Sequence, residues 1–519
     1  MSILRTFVMA TLVVLAFAAS PVRAEWLKGE SEHFVVYGDT SERQMRSYVQ
    51  KIERFDQVLR AYYPTSADVI APKLPIYLAR SKADMREVWP TLPSTVAGFY
   101  ARQDERIFAM ATDDGEGDSV LFHEYAHHFM FQNLTSPYPQ WFVEGFAEYY
   151  ATIELRSDRV KIGLFSPGRM NSLLVGLNEW APMDAILTQG RPGSRRVVGY
   201  RFYAQSWALT HYFMSTPERQ AMLAAYFRAL WQGAEPSAAL QTATGRTPQQ
   251  LQADLYRYIS GPITNFTPQR DFPAADVTVT RLTPGERDAI WLDLRLARFV
   301  PENLRAGNLA EARALAARHP GEPLPAQTLA QAFLDMKQPA DAVATLEPVV
   351  EANPASVQSL RMLAISLMDQ GDALTEEETG KAALYRRANQ LLARAYQQDA
   401  MDYRVYMAIA RNREGAPGYP TLNDTATLQL AAELAPQLPS LRLKAATAMM
   451  HHQQYEDAIL MLLPIASDPH GRSNLAPVRE IMIRAYAGAG RPVPAGLLPA
   501  GTPTAEGSDP EDGEEEGGA

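Results

Sequence analysis

The sequence predicts an α+β domain followed by an all-α solenoid. Three observations carry this. Short β-prone runs and an amphipathic helix share the first part of the chain, and an H-E-x-x-H pattern sits in an apolar helix at His123–His127. After about residue 287 the composition turns to Ala, Leu, Gln and Glu in helix-length runs, with turn signals at a repeat-like spacing.

The first 24 residues read as a secretory signal peptide. Arg5 gives a positive start, Phe7 to Ala19 an apolar run too short to span a bilayer, and Val22-Arg23-Ala24 a cleavage pattern. The expectation is an exported chain, periplasmic or secreted, that starts at Glu25 and has no membrane span after cleavage. With no cysteine in 519 residues, disulfides, thiol catalysis and cysteine-ligated zinc drop out, and stability rests on core burial, for which the length suffices. A formal charge of −10 argues against nucleic acid or an anionic membrane surface as main partner.

From Glu25 to Phe108 the pattern is mixed. His33 to Tyr37 and Leu74 to Leu78 read as strands, and Ser41 caps a helix to about Tyr62. Val96 to Tyr100 and Arg106 to Met110 flank the polar Arg102-Gln103-Asp104-Glu105 and read as a hairpin.

The chemistry concentrates between Gly117 and Tyr150. Asp118 or Ser119 is expected to cap a helix that Val120, Leu121, Phe122, Tyr125, Ala126, Phe129 and Met130 make apolar nearly all round. Four residues apart on one face, His123 and His127 can present two imidazoles to one metal ion, with Glu124 beside them. Zinc on two imidazoles and a carboxylate keeps a position for water, whose pKa falls to roughly 7, and a nearby carboxylate can take its proton. Two histidines and a glutamate suit so apolar a helix only when something pairs with them. His128 points about 100° away from His127 and is expected to be packed rather than ligating. Pro137 and Pro139 end this helix and set up the next.

The next helix reads Trp141-Phe142-Val143-Glu144-Gly145-Phe146-Ala147-Glu148-Tyr149. H-E-x-x-H followed by this W-x-x-E-G-x-A-E-Y segment resembles the gluzincin zinc metallopeptidases, especially their aminopeptidase N-like branch. The resemblance implies a zincin-like fold, Zn2+ held by His123, His127 and Glu144, and Glu124 as the catalytic base. It makes Glu148, one turn after Glu144, the carboxylate that orients His123; a ligand role or a solvated carboxylate are the rival assignments for it. It further implies that one strand of the 96–110 hairpin binds extended peptide, the plainer reading being a hairpin that closes the sheet. The aminopeptidases' G-x-M-E-N acid has no counterpart in Gly98-Phe99-Tyr100-Ala101-Arg102, which favours internal cleavage over amino-terminal trimming. Tyr200 to Phe213 resembles the helix that follows the third ligand in these enzymes. Hydrolysis needs a donor for the developing oxyanion, so Tyr203 is the first catalytic candidate there, with Tyr200 and His211 in reserve.

Helices continue from Met222 to Ile259, Thr247-Pro248 opens the last, and Gly261-Pro262 ends it. The metallopeptidase-like domain is therefore placed at 25–261 and a linker, with a short strand at Asp276 to Leu282, at 262–286. In the helical domain, 287–492, Pro320 and Pro354 stand 34 residues apart, the period of the tetratricopeptide repeat. Helical pairs fit Ala326 to Met336 with Pro339 to Val350, then Ser356 to Gln370, Lys381 to Gln398, and Leu441 to Ile465, with looser spacing around Gly415-Ala416-Pro417-Gly418. This resembles a degenerate tetratricopeptide-like solenoid, whose concave face suits a peptide or protein partner; an array that only props the other domain is the alternative. Residues 493–519, with the acidic run Asp509 to Glu516, read as a disordered tail.

The function expected is a zinc metallopeptidase acting on a peptide or protein substrate. Its rival is a catalytically vestigial scaffold acting through its repeats in envelope or secretion assembly, and retention of His123, Glu124, His127 and Glu144 speaks against that.

Overall fold

The computed structural model describes residues 25–497 except 64, 66–71, 135, 157–158, 176–179, 192–193, 198, 376–378, 467–474 and 495–496. The expected signal peptide and the acidic run of the tail lie outside the described residues. No helix among the described residues is long and apolar enough to cross a membrane.

The first unit runs β1 (Glu25–Glu30), β2 (Phe34–Thr40), α1 (Glu42–Tyr62), β3 (Leu74–Ala79), α2 (Lys82–Val88), β4 (Gly98–Gln103), β5 (Arg106–Thr112), α3 (Gly115–Asn133) and α4 (Gln140–Tyr150). It continues through β6 (Glu154–Leu155), β7 (Val160–Lys161), α5 (Pro167–Val175), α6 (Met183–Thr188), α7 (Gly199–Met214), α8 (Pro217–Trp231), α9 (Pro236–Thr244), α10 (Pro248–Ile259) and β8 (Thr278–Arg281). The main sheet has the order β4-β5-β3-β2-β1-β8. Its centre is parallel, β2 with β3 and β3 with β5, while β4, β1 and β8 each join antiparallel. The stretch that reads from sequence as a linker thus supplies an edge strand of the first unit's sheet.

Burial alternates along β2, the signature of a strand with two different faces. On one face α1 packs Val49, Ile52, Phe55 and Val58 against Leu121, Phe122, Tyr125 and Phe129 of α3. On the other, Tyr77, Phe99 and Phe108 meet Met85 and Val88 of α2. Each such side chain, fully buried, contributes about 1.5–3 kcal/mol of transfer free energy. Ser41 caps α1, as its sequence leads one to expect, and Gln44 returns the bond in a reciprocal box.

One expected boundary moves. α3 begins a turn earlier than Asp118 or Ser119 would have it, because Asp114 is the cap and accepts from the Gly117 amide at 2.8 Å. Gly117 is what permits the earlier start, since a Cβ there would lie 1.9 Å from the Thr112 carbonyl oxygen. Asp118 instead pairs with Lys51 Nζ at 2.5 Å.

The second unit is all helical: α11 (Pro284–Leu296), α12 (Glu302–Arg318), α13 (Pro323–Asp335), α14 (Pro339–Ala352), α15 (Val357–Asp372), α16 (Lys381–Gln398), α17 (Tyr403–Arg413), α18 (Leu422–Leu434), α19 (Pro439–His451), α20 (Tyr455–Ala466) and α21 (Leu475–Gly488). Each helix from α11 to α21 packs on the next, the pattern of a helical repeat array. The loose stretch at 415–418 is the loop that joins α17 to α18. α11, α13, α15 and α19 also pack on the next odd-numbered helix, more closely than the even-numbered helices approach one another. That asymmetry bends the array, with the odd helices on the inner side.

The inner side meets the first unit. Arg361 of α15 pairs with Glu105 at 2.9 Å, and Ser440 of α19 hydrogen-bonds Asp104, both in the β4–β5 turn. Gln437, just before α19, bonds Gln132 of α3, and Asp293 of α11 pairs with Arg106 at the start of β5. Between sheet and array lies a cavity of about 880 Å³, lined by residues that include Tyr37, Tyr77, His128, Tyr403 and Gln437.

Candidate metal centre

α3 brings His123 and His127 onto one face, and α4 packs against α3 and brings in Glu144. α4 is buried from Trp141 to Tyr150, so its polar residues face protein rather than bulk water. Its position depends on Gly145: a Cβ there would come within 2.1 Å of Thr210 Oγ1 and 2.4 Å of the Ser206 carbonyl oxygen, so α7 and α4 approach each other over a bare backbone.

Three donor atoms converge. His123 Nε2 and His127 Nε2 are 3.1 Å apart, and Glu144 Oε2 is 3.7 Å from the first and 3.5 Å from the second. Four ligands placed tetrahedrally at zinc–ligand bonds of about 2.0–2.1 Å lie about 3.3–3.4 Å from each other. The observed spacings bracket that value. His123 Nδ1 is 3.4 Å from Glu148 Oε1, so its proton belongs on that side and its Nε2 turns a lone pair towards His127 and Glu144. Two imidazoles and one carboxylate form a donor set that zinc accepts, and the residues fit the ion.

Around these three side chains the structure adds a residue that no sequence motif singles out. Arg169, in the first turn of α5, donates from Nε to Glu148 Oε2 at 2.8 Å and from Nη2 to Oε1 at 2.5 Å. Its guanidinium also lies 5.4 Å from the centre of the Tyr203 ring. Arg169 stands 21 residues beyond Glu148 with no periodic relation to it; only the fold joins them.

Tyr203 of α7 reaches the centre, with its ring 6.5 Å from that of His123. Burial, followed by the carboxylates of Glu144, Glu148 and Glu124, pushes its phenol up to about 12, so it stays protonated at neutral pH. The reserve candidates lie elsewhere. Tyr200 is 49% exposed and takes a hydrogen bond from Arg201, whereas His211 is buried between the Tyr258 hydroxyl at 2.7 Å and the Gly163 carbonyl at 2.9 Å. Glu124 is partly exposed.

His128 faces the array instead. Its Nδ1 lies 2.8 Å from the Tyr100 hydroxyl and 3.3 Å from Gln437 Nε2, and burial drives its pKa down to about 3, leaving it neutral. A second cluster, His33 with Glu53 and Asp56, is closed by protein groups: Asp56 accepts from Tyr125 Oη and Arg60 Nε, each at 2.6 Å, and Glu53 accepts from the His33 amide at 2.9 Å with His33 Nδ1 at 3.0 Å. Its oxygens are already engaged, and it is read as an ion-pair network.

No protein-family model matches the sequence, and no curated protein matches it. Among solved structures, a thermophilic TPR protein in Thermus thermophilus is similar at 14% identity and a TM-score of 0.29, over 36% of this chain and 91% of that one. MamA is similar at 10% identity and a TM-score of 0.26, over 40% of this chain and 99% of that one. An RS-1 double mutant of MamA has 13% identity and a TM-score of 0.25, over 35% of this chain and 86% of that one.

Proposed function

We propose that the chain is a zinc-dependent peptidase whose metal is held by His123, His127 and Glu144. The observation that carries this reading is the convergence of two imidazole nitrogens and one carboxylate oxygen at 3.1–3.7 Å, the spacing of a zinc ligand set. When bound, zinc supplies Lewis acidity to a carbonyl oxygen and brings a water's pKa to about 7. Glu124 takes the proton of the attacking water and returns it to the leaving amine. Tyr203, kept protonated, donates to the oxyanion as it develops. Glu148 holds His123. β4 is the terminal strand of its sheet, where an extended substrate would add backbone hydrogen bonds, and it carries no acid to grip a free amino terminus, so internal cleavage is the favoured mode.

The test is zinc content by elemental analysis at saturating zinc. About one zinc per chain, lost in Glu144→Ala and largely kept in Glu148→Ala, supports the ligand set. A reconstituted wild type without zinc overturns it.

A second reading, in which an exported protein acts as a scaffold through its helices, is favoured by the extent of the array from α11 to α21. Because its inner side already grips the β4–β5 turn and α3, a partner would meet its outer faces. A cellular phenotype unchanged in Glu124→Gln would support the scaffold.

A further inference from the structure

Glu148 is 6% exposed and lies one turn from Glu144 on the same helix. Two carboxylates so placed repel each other, and a carboxylate taken out of water is stable only when paired. Arg169 supplies the pairing with two nitrogens, one to each carboxylate oxygen, an arrangement that fixes orientation as well as charge. The oxygen that takes the shorter of these bonds, Oε1, is also the one 3.4 Å from His123 Nδ1. Turning the Glu148 carboxylate away from His123 would therefore also disrupt the fork.

We propose that Arg169 is a positioning residue of the metal centre: it locks Glu148, and through Glu148 sets the orientation and proton position of His123. The inference rests on reading His123, His127 and Glu144 as zinc ligands. It accounts for three features together: an arginine in the first turn of α5, a buried acid one turn after the third ligand, and the placement of the same guanidinium near Tyr203. A lysine could neutralise Glu148 but not form the planar fork, so charge and geometry are separable.

The experiment is zinc affinity, measured by competition with a chromogenic chelator, for wild type, Arg169→Ala, Arg169→Lys, Glu148→Ala and the Arg169→Ala/Glu148→Ala pair. Thermal melting of each metal-free protein serves as a control for folding. Loss of a group that orients a metal-bound histidine costs about 10- to 100-fold in affinity. The expected result is a loss of that size in Arg169→Ala, a smaller one in Arg169→Lys, and no further loss when Arg169→Ala is added to Glu148→Ala, since both act along one path. If Arg169→Ala melts early, Arg169→Lys and the pair on the Glu148→Ala background decide. Affinity within about twofold of wild type in Arg169→Ala overturns the inference while leaving the zinc ligands standing. Normal affinity with a raised KM for peptide also overturns it and makes Arg169 a substrate contact. A wild type that binds no zinc removes the metal centre and the inference with it.

Discussion

Arg361, with only 3% of its side chain exposed in the helical array, forms a 2.9 Å ion pair with Glu105 at the tip of the β4–β5 hairpin. Arg361 holds the Glu105 carboxyl below its ordinary value of 4.5. A carboxylate with a lowered folded pKa contributes stability that is present above the unfolded value and lost as pH falls through the folded one. Glu105→Gln is therefore expected to lower stability to urea at pH 7. One-sided loss of a buried pair costs about 3–5 kcal/mol, and the 43% exposure of Glu105 reduces this to the order of 1–2 kcal/mol. The difference from wild type should shrink below pH 4.5. Parallel acid profiles for the two proteins would remove the pair from the account.

Glu124→Gln keeps the size and loses the basicity of the proposed proton carrier. Hydrolysis of a quenched peptide is expected to fall by at least about 10²- to 10⁴-fold, with zinc content unchanged. An active variant would end that assignment.

Tyr203→Phe removes one hydroxyl from a helix otherwise held by packing. If that hydroxyl serves the oxyanion, kcat should drop about 10²- to 10³-fold while KM and zinc affinity stay near wild type. Full activity would mean that Tyr203 merely fills the wall beside His123.

Gly145→Ala adds one methyl group where α4 meets Thr210 and Ser206. Overpacking of this kind typically costs about 1–3 kcal/mol. Because Glu144 precedes Gly145 on α4, the displacement should also weaken zinc binding, readable by the same chelator competition. A destabilised protein with unaltered zinc affinity would show that α4 tilts without carrying Glu144 with it.

The parts legible in the sequence are those whose signal is local. His123 with His127, and Glu144 with Glu148, are each spaced by one helical turn, and Ser41 with Gln44 is a capping pattern three residues long. The start of α3 is less legible, because Asp118 looks like a cap until the Thr112 carbonyl shows why Gly117 has to be inside the helix. Arg169 is hidden altogether, since α5 is positioned by packing on α7 and nothing near residue 169 refers to residue 148. The grip of α15 and α19 on the β4–β5 turn is equally hidden: Glu105 and Arg361 look like ordinary surface charges until chain folding sets them side by side.

β8 pairs with β1, from Leu27 with Arg281 to Glu30 with Thr278, and Trp26 packs edge-on to Trp291 of α11 at 5.0 Å between ring centres. A fragment ending at residue 261 would lose both. It would carry a bare strand edge at β1 and an uncovered apolar face around Tyr77 and Phe108, where Ile290 and Leu294 of α11 now pack. Exposed edges and apolar faces of this kind recruit other copies of the chain, so the fragment is expected to aggregate. The shortest version of the first unit that keeps both contacts is cut after α11, with part of the helical half attached.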